Sequence, residues 1–186
     1  MRKFNLDCPI RKANPYHQMA KATKESIVKP NLLNHQFEKH GPRKVLLTDI
    51  TYIPIPGTDK FAYLSTILDA FTKELLAYRI SDNLKIDFVL DTVRDLVENH
   101  QIELSEETMI HSDQGSHYTS ENFIDIDTKA KLHQSMSLRG NCWNNAPQES
   151  FFGHMKDEIS DELARRSQFE EIKALIDRWI AYYNND

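Results

Sequence analysis

The chain contains the stretch Val45-Leu-Leu-Thr-Asp-Ile-Thr-Tyr-Ile53, in which a single carboxylate interrupts an apolar run. Its β-branched and aromatic residues, followed by turn signals at residues 54–60, predict a β-strand. Because side chains alternate along a strand, Asp49 shares one face with Leu47 and Ile53. Burying a carboxylate is costly unless something pairs with it. Asp49 is therefore either a satisfied edge-strand residue or part of a functional site.

The patterns beyond this strand predict one α/β domain with a mixed sheet covered by helices. Three strands come first as a meander, and the hydrophobic period then changes from that of a strand to that of a helix. The predicted elements are strands at 61–70 and 74–80, a helix from 86, a strand at 108–112, a helix near 120–130 capped by Thr119 or Ser120, a strand at 131–134, a loop at 135–144, and helices from about 146 and at 169–183. Residues 17–27 are a further candidate helix.

Charge divides the chain into two parts. Residues 1–44 carry 10 Lys/Arg against 3 Asp/Glu, a net +7, whereas residues 45–186 carry 13 against 25, a net −12. We expect a basic N-terminal lead-in at 1–44, either a solvated arm or an arm that follows a phosphate backbone, and a core domain at 45–186. The acidic core argues against tight DNA binding by the core alone.

Other sequence features exclude several protein classes. No apolar run approaches the roughly 20 residues that span a bilayer, and the N-terminus lacks the apolar stretch of a signal peptide. Cys8 and Cys142 form no CxxC pair, so neither a zinc site nor a disulfide framework is indicated. A cytoplasmic location is the expectation that follows.

Two further carboxylates stand in distinctive settings. Asp113 follows a predicted strand in the segment 109–118, and Glu149 lies near the start of a predicted helix, with 35 residues between them. Taken singly, each is explained equally well as a turn, capping or surface residue. Carboxylates that converge from different elements can hold hard divalent cations, and two-metal sites cut and join phosphodiesters. We therefore treat Asp49, Asp113 and Glu149 as one candidate site.

Several neighbouring residues could support such a site. Lys156 lies seven positions after Glu149, which returns it to nearly the same helix face. No HExxH or HNH spacing is present, so His117 and His154 are better candidates for indirect support or DNA contact than for metal ligands. A cluster of amides beside an aromatic ring is either a loop tied down by its own side chains or a set of contacts to sugar, phosphate or base: Asn141, Trp143, Asn144 and Asn145.

Three motifs resemble a known family. Together they are similar to the catalytic core of bacterial insertion-sequence transposases of the retroviral-integrase type, and more narrowly to the second-frame product of the IS-three family. The resemblance covers about residues 40–184 and includes the D,D-35-E spacing. The motifs are Leu-Thr-Asp49-Ile-Thr, His-Ser-Asp113-Gln-Gly-Ser-His-Tyr-Thr-Ser, and Ser-Met-Ser-Leu-Arg-Gly-Asn-Cys-Trp-Asn-Asn-Ala-Pro-Gln-Glu149-Ser-Phe-Phe-Gly-His-Met-Lys.

The resemblance implies a fold, a chemistry and a set of site residues. The implied fold is RNase H-like, with a five-stranded mixed sheet whose first three strands are antiparallel. Asp49, Asp113 and Glu149 would be ligands of two Mg²⁺ or Mn²⁺ ions in an enzyme that cleaves DNA at element ends and transfers the 3′-hydroxyl strand. The resemblance also implies positions that contact DNA or shape the pocket: Gln114, Gly115, Tyr118, Asn145 and Lys156. His117 joins this set because it lies close to Asp113 in the sequence.

The resemblance also sets expectations about partners and integrity. The expected partners are transposon-end and target DNA, further copies of the chain on that DNA, and the first-frame helix-turn-helix protein. Asn144 stands where relatives usually have Asp, and relatives carry upstream helix-turn-helix segments and a basic tail beyond Asp186. We expect a truncated element, an excised core or a decayed copy. The alternatives to an active transposase are a remnant that only binds DNA and an RNase H-type nuclease.

Overall fold

The computed structural model describes residues 29–33, 40–100, 104–137 and 145–185. The candidate helix at 17–27 lies outside these residues. The elements, in chain order, are β1 (Val45–Pro54), β2 (Phe61–Asp69), β3 (Leu75–Ser81), α1 (Ile86–His100), β4 (Met109–Ser112), α2 (Glu121–Lys129), β5 (His133–Met136), α3 (Ala146–Leu163) and α4 (Phe169–Tyr183).

The five strands form one mixed sheet in the order β3-β2-β1-β4-β5. β1 pairs antiparallel with β2 and parallel with β4, so the first three strands form the antiparallel half. The predicted sheet is confirmed. β1 is the central strand, and the interpretation of Asp49 as an edge-strand residue is therefore wrong.

The alternation of side chains along β1 divides the core into two layers. Leu47 and Ile53 point to the face covered by α3 and α4, and Leu46 points to the face covered by α1 and α2. The helices bury the apolar stripes that their 3.6-residue periods predict. On α4 the fully or largely buried residues are Ile172, Leu175, Ile176, Trp179 and Ile180.

Most element boundaries agree with the sequence pattern to within one residue. Ser120 is the N-cap of α2 and accepts a hydrogen bond from the Phe123 N–H. The last strand is the exception. The pattern predicts this strand at 131–134, but β5 lies two residues later, at His133–Met136. Its second half therefore occupies residues predicted to be a loop. Lys131 has a φ of 59°, and the Leu132 N–H donates to the Asp127 carbonyl, so the chain is still leaving α2 there.

Part of the predicted lead-in packs against the core. The Leu33 side chain is 2% exposed within the α3/α4 layer, and the Leu32 N–H donates to Ser135 Oγ at 3.0 Å. The Arg43 guanidinium contacts the buried Asp69 carboxylate at 2.9 Å and Glu74 at 2.7 Å. Over the described ranges, none of the helices combines the length and the apolar character that crossing a membrane requires.

Candidate active site

The sheet brings Asp49 and Asp113 to the same level on neighbouring strands. In the parallel pairing of β1 with β4, Leu47 lies opposite His111. Asp49 and Asp113 each follow two residues later, Asp49 within the longer β1 and Asp113 just beyond the end of β4. Two segments that are far apart in the sequence therefore place their carboxylates side by side.

Helix α3 brings the third carboxylate, Glu149, toward Asp49 and Asp113. Asn145 occupies the N-cap position but makes no side-chain capping bond. Its Nδ2 instead donates to Asp49 Oδ2 at 3.0 Å, which ties the start of the helix to β1. Glu149 lies in the first turn of α3. The positive end of the helix dipole thus points toward the carboxylates, which favours negative charge there.

The pKa of Asp49 shows that the three carboxylates interact. The pKa of Asp49 is raised to about 7, chiefly by burial and in addition by the negative charges of Asp113 and Glu149. Hydrogen bonds from the Ile50 N–H and the Asn145 amide oppose this rise because they stabilise the charged form. Three like charges close enough to repel one another form a site that a cation would stabilise.

The donor set fits a hard divalent cation in chemistry and charge. All three groups are carboxylates, and oxygen ligands are what Mg²⁺ and Mn²⁺ prefer. Within the ranges that the structure describes, no three His, Cys, Asp or Glu side chains are already grouped closely enough to hold an ion. Asp113 and Glu149 are exposed, so their side chains have room to close around one.

Gly115 leaves space for the Asp113 carboxylate. Its N–H donates to Asp113 Oδ1 at 2.8 Å, and a Cβ placed on Gly115 would lie 2.8 Å from the same oxygen. Gly115 does not have a left-handed backbone; among the described residues the glycines with positive φ are Gly41 and Gly57. A side chain at position 115 would therefore displace the Asp113 carboxylate, whereas the backbone of the turn itself does not demand a glycine.

The other positions expected to contact DNA mostly hold the Asp113 loop in place. Gln114 Nε2 donates to the Ser137 carbonyl at 3.0 Å, and His117 Nε2 donates to the Leu84 carbonyl at 3.0 Å. Tyr118 is only 2% exposed and packs edge-on against Phe123. A side chain buried to this extent offers DNA almost no surface.

Lys156 is exposed on the same side of α3 as Glu149. Partial burial lowers the pKa of Lys156, and the negative charge of Asp49 opposes that shift. The ammonium group therefore lies within electrostatic range of the carboxylates while remaining open to solvent. A phosphate beside the carboxylate site would find its counter-charge here.

Two known protein families match this chain. Residues 39–142 match the family described as "Integrase core domain", and residues 130–186 match a second family with the same description. The first match alone covers more than half of the chain. The chain belongs to the integrase core family.

Curated relatives of this integrase core are named as transposases. The chain is 32% identical over 158 residues to InsK, named as a transposase for insertion sequence element IS150 in Escherichia coli K12, covering 84% of this chain and 53% of the relative. It is 32% identical over 162 residues to the transposase for IS904 in Lactococcus lactis, covering 86% and 61%. The chain thus spans between about half and three-fifths of these relatives.

Solved structures confirm the RNase H-like fold of this integrase core. The catalytic core domain of BIV integrase superimposes with a TM-score of 0.59 at 11% identity, covering 77% of this chain and 85% of that one. The Mos1 transposase catalytic domain, solved with raltegravir and Mg, gives a TM-score of 0.58 at 14% identity, covering 75% and 71%. At such identities the likeness shows the fold alone.

The sequence patterns missed two buried polar residues behind the carboxylates of this integrase core. Gln148 and Thr66 are both 0% exposed, and the Gln148 amide donates to the Thr66 hydroxyl. A helical plot contains the signal for Gln148, since it continues the stripe of Phe152, Met155 and Ile159. For Thr66 the only signal is its position opposite Asp49 in the β1–β2 pair. That position can be recognised only when the register of the two strands is known.

Proposed function

We propose that this integrase core is the catalytic part of an insertion-sequence transposase, performing metal-dependent cleavage of DNA and transfer of the cleaved strand. Asp49, Asp113 and Glu149 are assigned as the D,D-35-E ligands of two Mg²⁺ or Mn²⁺ ions. The observation that carries the proposal is the convergence of these carboxylates. Asp49 and Asp113 lie at the same level on the neighbouring strands β1 and β4, and Glu149 lies in the first turn of α3, whose N-cap residue bonds Asp49. The names of the relatives and the Mg in the Mos1 structure support it.

The chain's residues prepare the site in distinct ways. When bound, the metal ions supply activation of water or of a 3′-hydroxyl nucleophile and stabilisation of the leaving oxygen. Asp49 is fixed by two hydrogen bonds, from the Ile50 N–H at 2.7 Å and from Asn145 at 3.0 Å. Asp113 is fixed by the Gly115 N–H. These bonds stabilise charged carboxylates, so Asp49 and Asp113 are oriented and acceptor-ready before an ion arrives.

DNA contact is assigned chiefly to Lys156 and to the basic lead-in at 1–44. Gln114, His117, Tyr118 and Asn145 serve DNA indirectly by holding the carboxylate loops, because their side chains are buried or hydrogen-bonded to the protein. Transposon-end and target DNA, further copies of the chain on that DNA, and the first-frame helix-turn-helix protein are the proposed partners. The proposed setting is the bacterial cytoplasm, at the nucleoid.

The test is a calorimetric titration of Mn²⁺ and Mg²⁺ into the full chain, alone and with a branched DNA that carries a free 3′-hydroxyl beside the branch. A labelled strand in the same DNA reports cutting and joining. We expect metal binding and strand joining in the unmodified chain and neither in an Asp49→Asn/Asp113→Asn double variant. Asp157→Asn, which neutralises an exposed carboxylate elsewhere on α3, should match the unmodified chain.

The other possible outcomes identify the alternatives. Cutting of an RNA–DNA hybrid without any joining would replace the transposase by an RNase H-type nuclease. DNA binding that is the same in the unmodified chain and the double variant, with no metal bound by either, would leave a DNA-binding remnant. Either result contradicts the proposal.

A further inference from the structure

One contact between α3 and the sheet is polar within an apolar layer. The Gln148 amide on α3 donates to the Thr66 hydroxyl on β2, and the Thr66 hydroxyl donates in turn to the Asp49 carbonyl on β1 at 3.4 Å. The side chains around this chain of hydrogen bonds belong to the α3/α4 core layer and include Leu64 and Leu68.

Stability alone does not account for this contact. Gln148 Oε1 is buried and has no hydrogen-bond partner among the residues that the structure describes. A buried polar atom left in this state costs about 1–3 kcal/mol. A methionine at position 148 would have nearly the same length and no such cost, as Met155 shows two turns later on the same buried stripe. The unpaired oxygen therefore offsets part of what the bond to Thr66 contributes to stability.

The position of the contact explains what the glutamine does. Gln148 directly precedes Glu149, about 100° around the helix. A bond from Gln148 to the sheet therefore sets the rotation of the first turn of α3, and with it the direction of the Glu149 side chain. Thr66 is the cross-strand partner of Asp49, so the bond connects the helix to the strand residue that bears the central carboxylate.

Asn145 provides a second connection, three residues earlier. Its amide holds the side chain of Asp49, whereas Gln148, through Thr66, reaches the backbone of Asp49. Two points of attachment fix both the position and the rotation of the helix start. They add to the packing of Phe151 and Phe152, which already holds this face of α3 against the sheet.

We propose that Gln148 is a positioning residue. Its hydrogen bond to Thr66 sets the orientation of Glu149 relative to Asp49, and thereby the affinity of the carboxylate site for a divalent cation. This inference rests on the proposed function and deepens it. It assigns a role to two residues, Gln148 and Thr66, that touch neither metal nor DNA.

The test compares Gln148→Met, Thr66→Val and the double variant in the full chain with the branched DNA. We expect Mn²⁺ affinity measured by calorimetry to fall by about 10-fold to 100-fold, as is typical when a group that orients a metal ligand is removed. The joining rate at saturating DNA should fall comparably, with DNA affinity unchanged. The unfolding midpoint of Gln148→Met should stay constant or rise. The double variant should lose no more than either single variant, because both break the same connection.

Thr92→Val is the matched control. The Thr92 hydroxyl on α1 lies 3.0 Å from the hydroxyl of Ser65, which precedes Thr66 but points to the opposite face of β2. Removing this buried bond between helix and sheet should lower stability and leave Mn²⁺ affinity intact. A loss of Mn²⁺ affinity in Thr92→Val as large as in Gln148→Met would overturn the inference, since any loosened helix would then suffice.

Further outcomes separate the inference from the proposed function. An unmodified chain that binds no Mn²⁺ and joins no strand contradicts both. An active unmodified chain with an equally active, equally metal-binding Gln148→Met variant contradicts only the inference. A Gln148→Met variant whose losses merely follow a lowered unfolding midpoint also overturns it, because Gln148 would then be structural.

Discussion

The two faces of the sheet each bury an aspartate with a raised pKa, and their surroundings differ. Asp49, where the α3/α4 layer reaches the site, receives hydrogen bonds from the Ile50 N–H and the Asn145 amide and faces two more carboxylates. Asp127 on α2 is 2% exposed, and within the described part of the chain neither of its carboxylate oxygens has a hydrogen-bond partner. Burial alone raises the pKa of Asp127 well above its ordinary range.

The difference shows that a raised pKa does not by itself indicate a functional site. Among the described residues no donor stabilises the charged form of Asp127, and burial favours its protonated form. At Asp49 two donors favour the charged form while neighbouring charges oppose it. A bound cation would remove the repulsion that these neighbouring charges exert on Asp49. The partners of each carboxyl group, rather than its pKa, separate the two cases.

The largest effect should come from Asp113→Asn, which removes one charge from the carboxylate group. Strand cleavage and joining should fall at least about 1,000-fold, as is common when one member of a catalytic set is lost. Circular dichroism and the unfolding midpoint should show an intact fold. Asp127→Asn makes the same chemical change on the other face and should retain activity. Retained joining by Asp113→Asn would remove the distinction between the two faces.

Gly115→Ala tests how closely the Asp113 carboxylate must be placed. The new Cβ would meet Asp113 Oδ1 at 2.8 Å, and the carboxylate would have to move. A displacement of about 1 Å in a catalytic group can cost about 100-fold in rate, and we expect a loss of that order at saturating DNA. Gly153→Ala, where a Cβ meets nothing within 4 Å, is the control and should be fully active. Equal rates for the two variants would show that the carboxylate tolerates displacement.

Asp127→Asn should change stability and leave catalysis alone. Because the folded-state pKa of Asp127 is raised above its ordinary value of 3.8, the folded chain keeps a proton that the unfolded chain loses. Its contribution to stability is complete below about pH 4 and declines as the pH rises toward the folded-state pKa. The variant should remove this decline, so its free energy of unfolding should rise relative to that of the unmodified chain between pH 4 and pH 7.

Denaturant unfolding between pH 4 and pH 7 measures this effect. Asp125→Asn is the control, since Asp125 is exposed on the same helix and pairs with Lys129. Its stability should stay within about 0.5 kcal/mol of the unmodified chain. A pH profile of Asp127→Asn that parallels the unmodified chain would show that Asp127 is charged in the folded state.

Lys156→Ala should have the smallest effect. Loss of one phosphate contact should weaken DNA binding several-fold and reduce the slope of log affinity against log salt by about one. Mn²⁺ affinity should be unchanged, because Lys156 is not a ligand. Fluorescence anisotropy at several salt concentrations measures the slope, with Lys129→Ala as the exposed-lysine control. An unchanged slope would remove Lys156 from the DNA-contacting set.

The sequence was sufficient for the sheet and the helices, since strong periodicity depends on local residues. Its three local motifs also predict that Asp49, Asp113 and Glu149 form one site, which stays a prediction. It was insufficient where the outcome depends on pairing between distant segments. The start of β5 shifted because Lys131 takes a left-handed backbone conformation at the end of α2, which no pattern in 131–134 indicates. Gln148 and Asp127 are ordinary polar helix residues until the packing shows which face they occupy.

The contact of residues 29–33 with β5 has a consequence for self-association. The Met136 N–H donates to the Pro30 carbonyl at 3.4 Å, and the segment covers an edge of the sheet. Uncovered strand edges act as templates for pairing with other chains. A shortened protein beginning at residue 45 would lose Leu33 from its core and expose this edge. Such a fragment should form edge-to-edge aggregates, whereas one that begins at residue 29 should keep this edge covered.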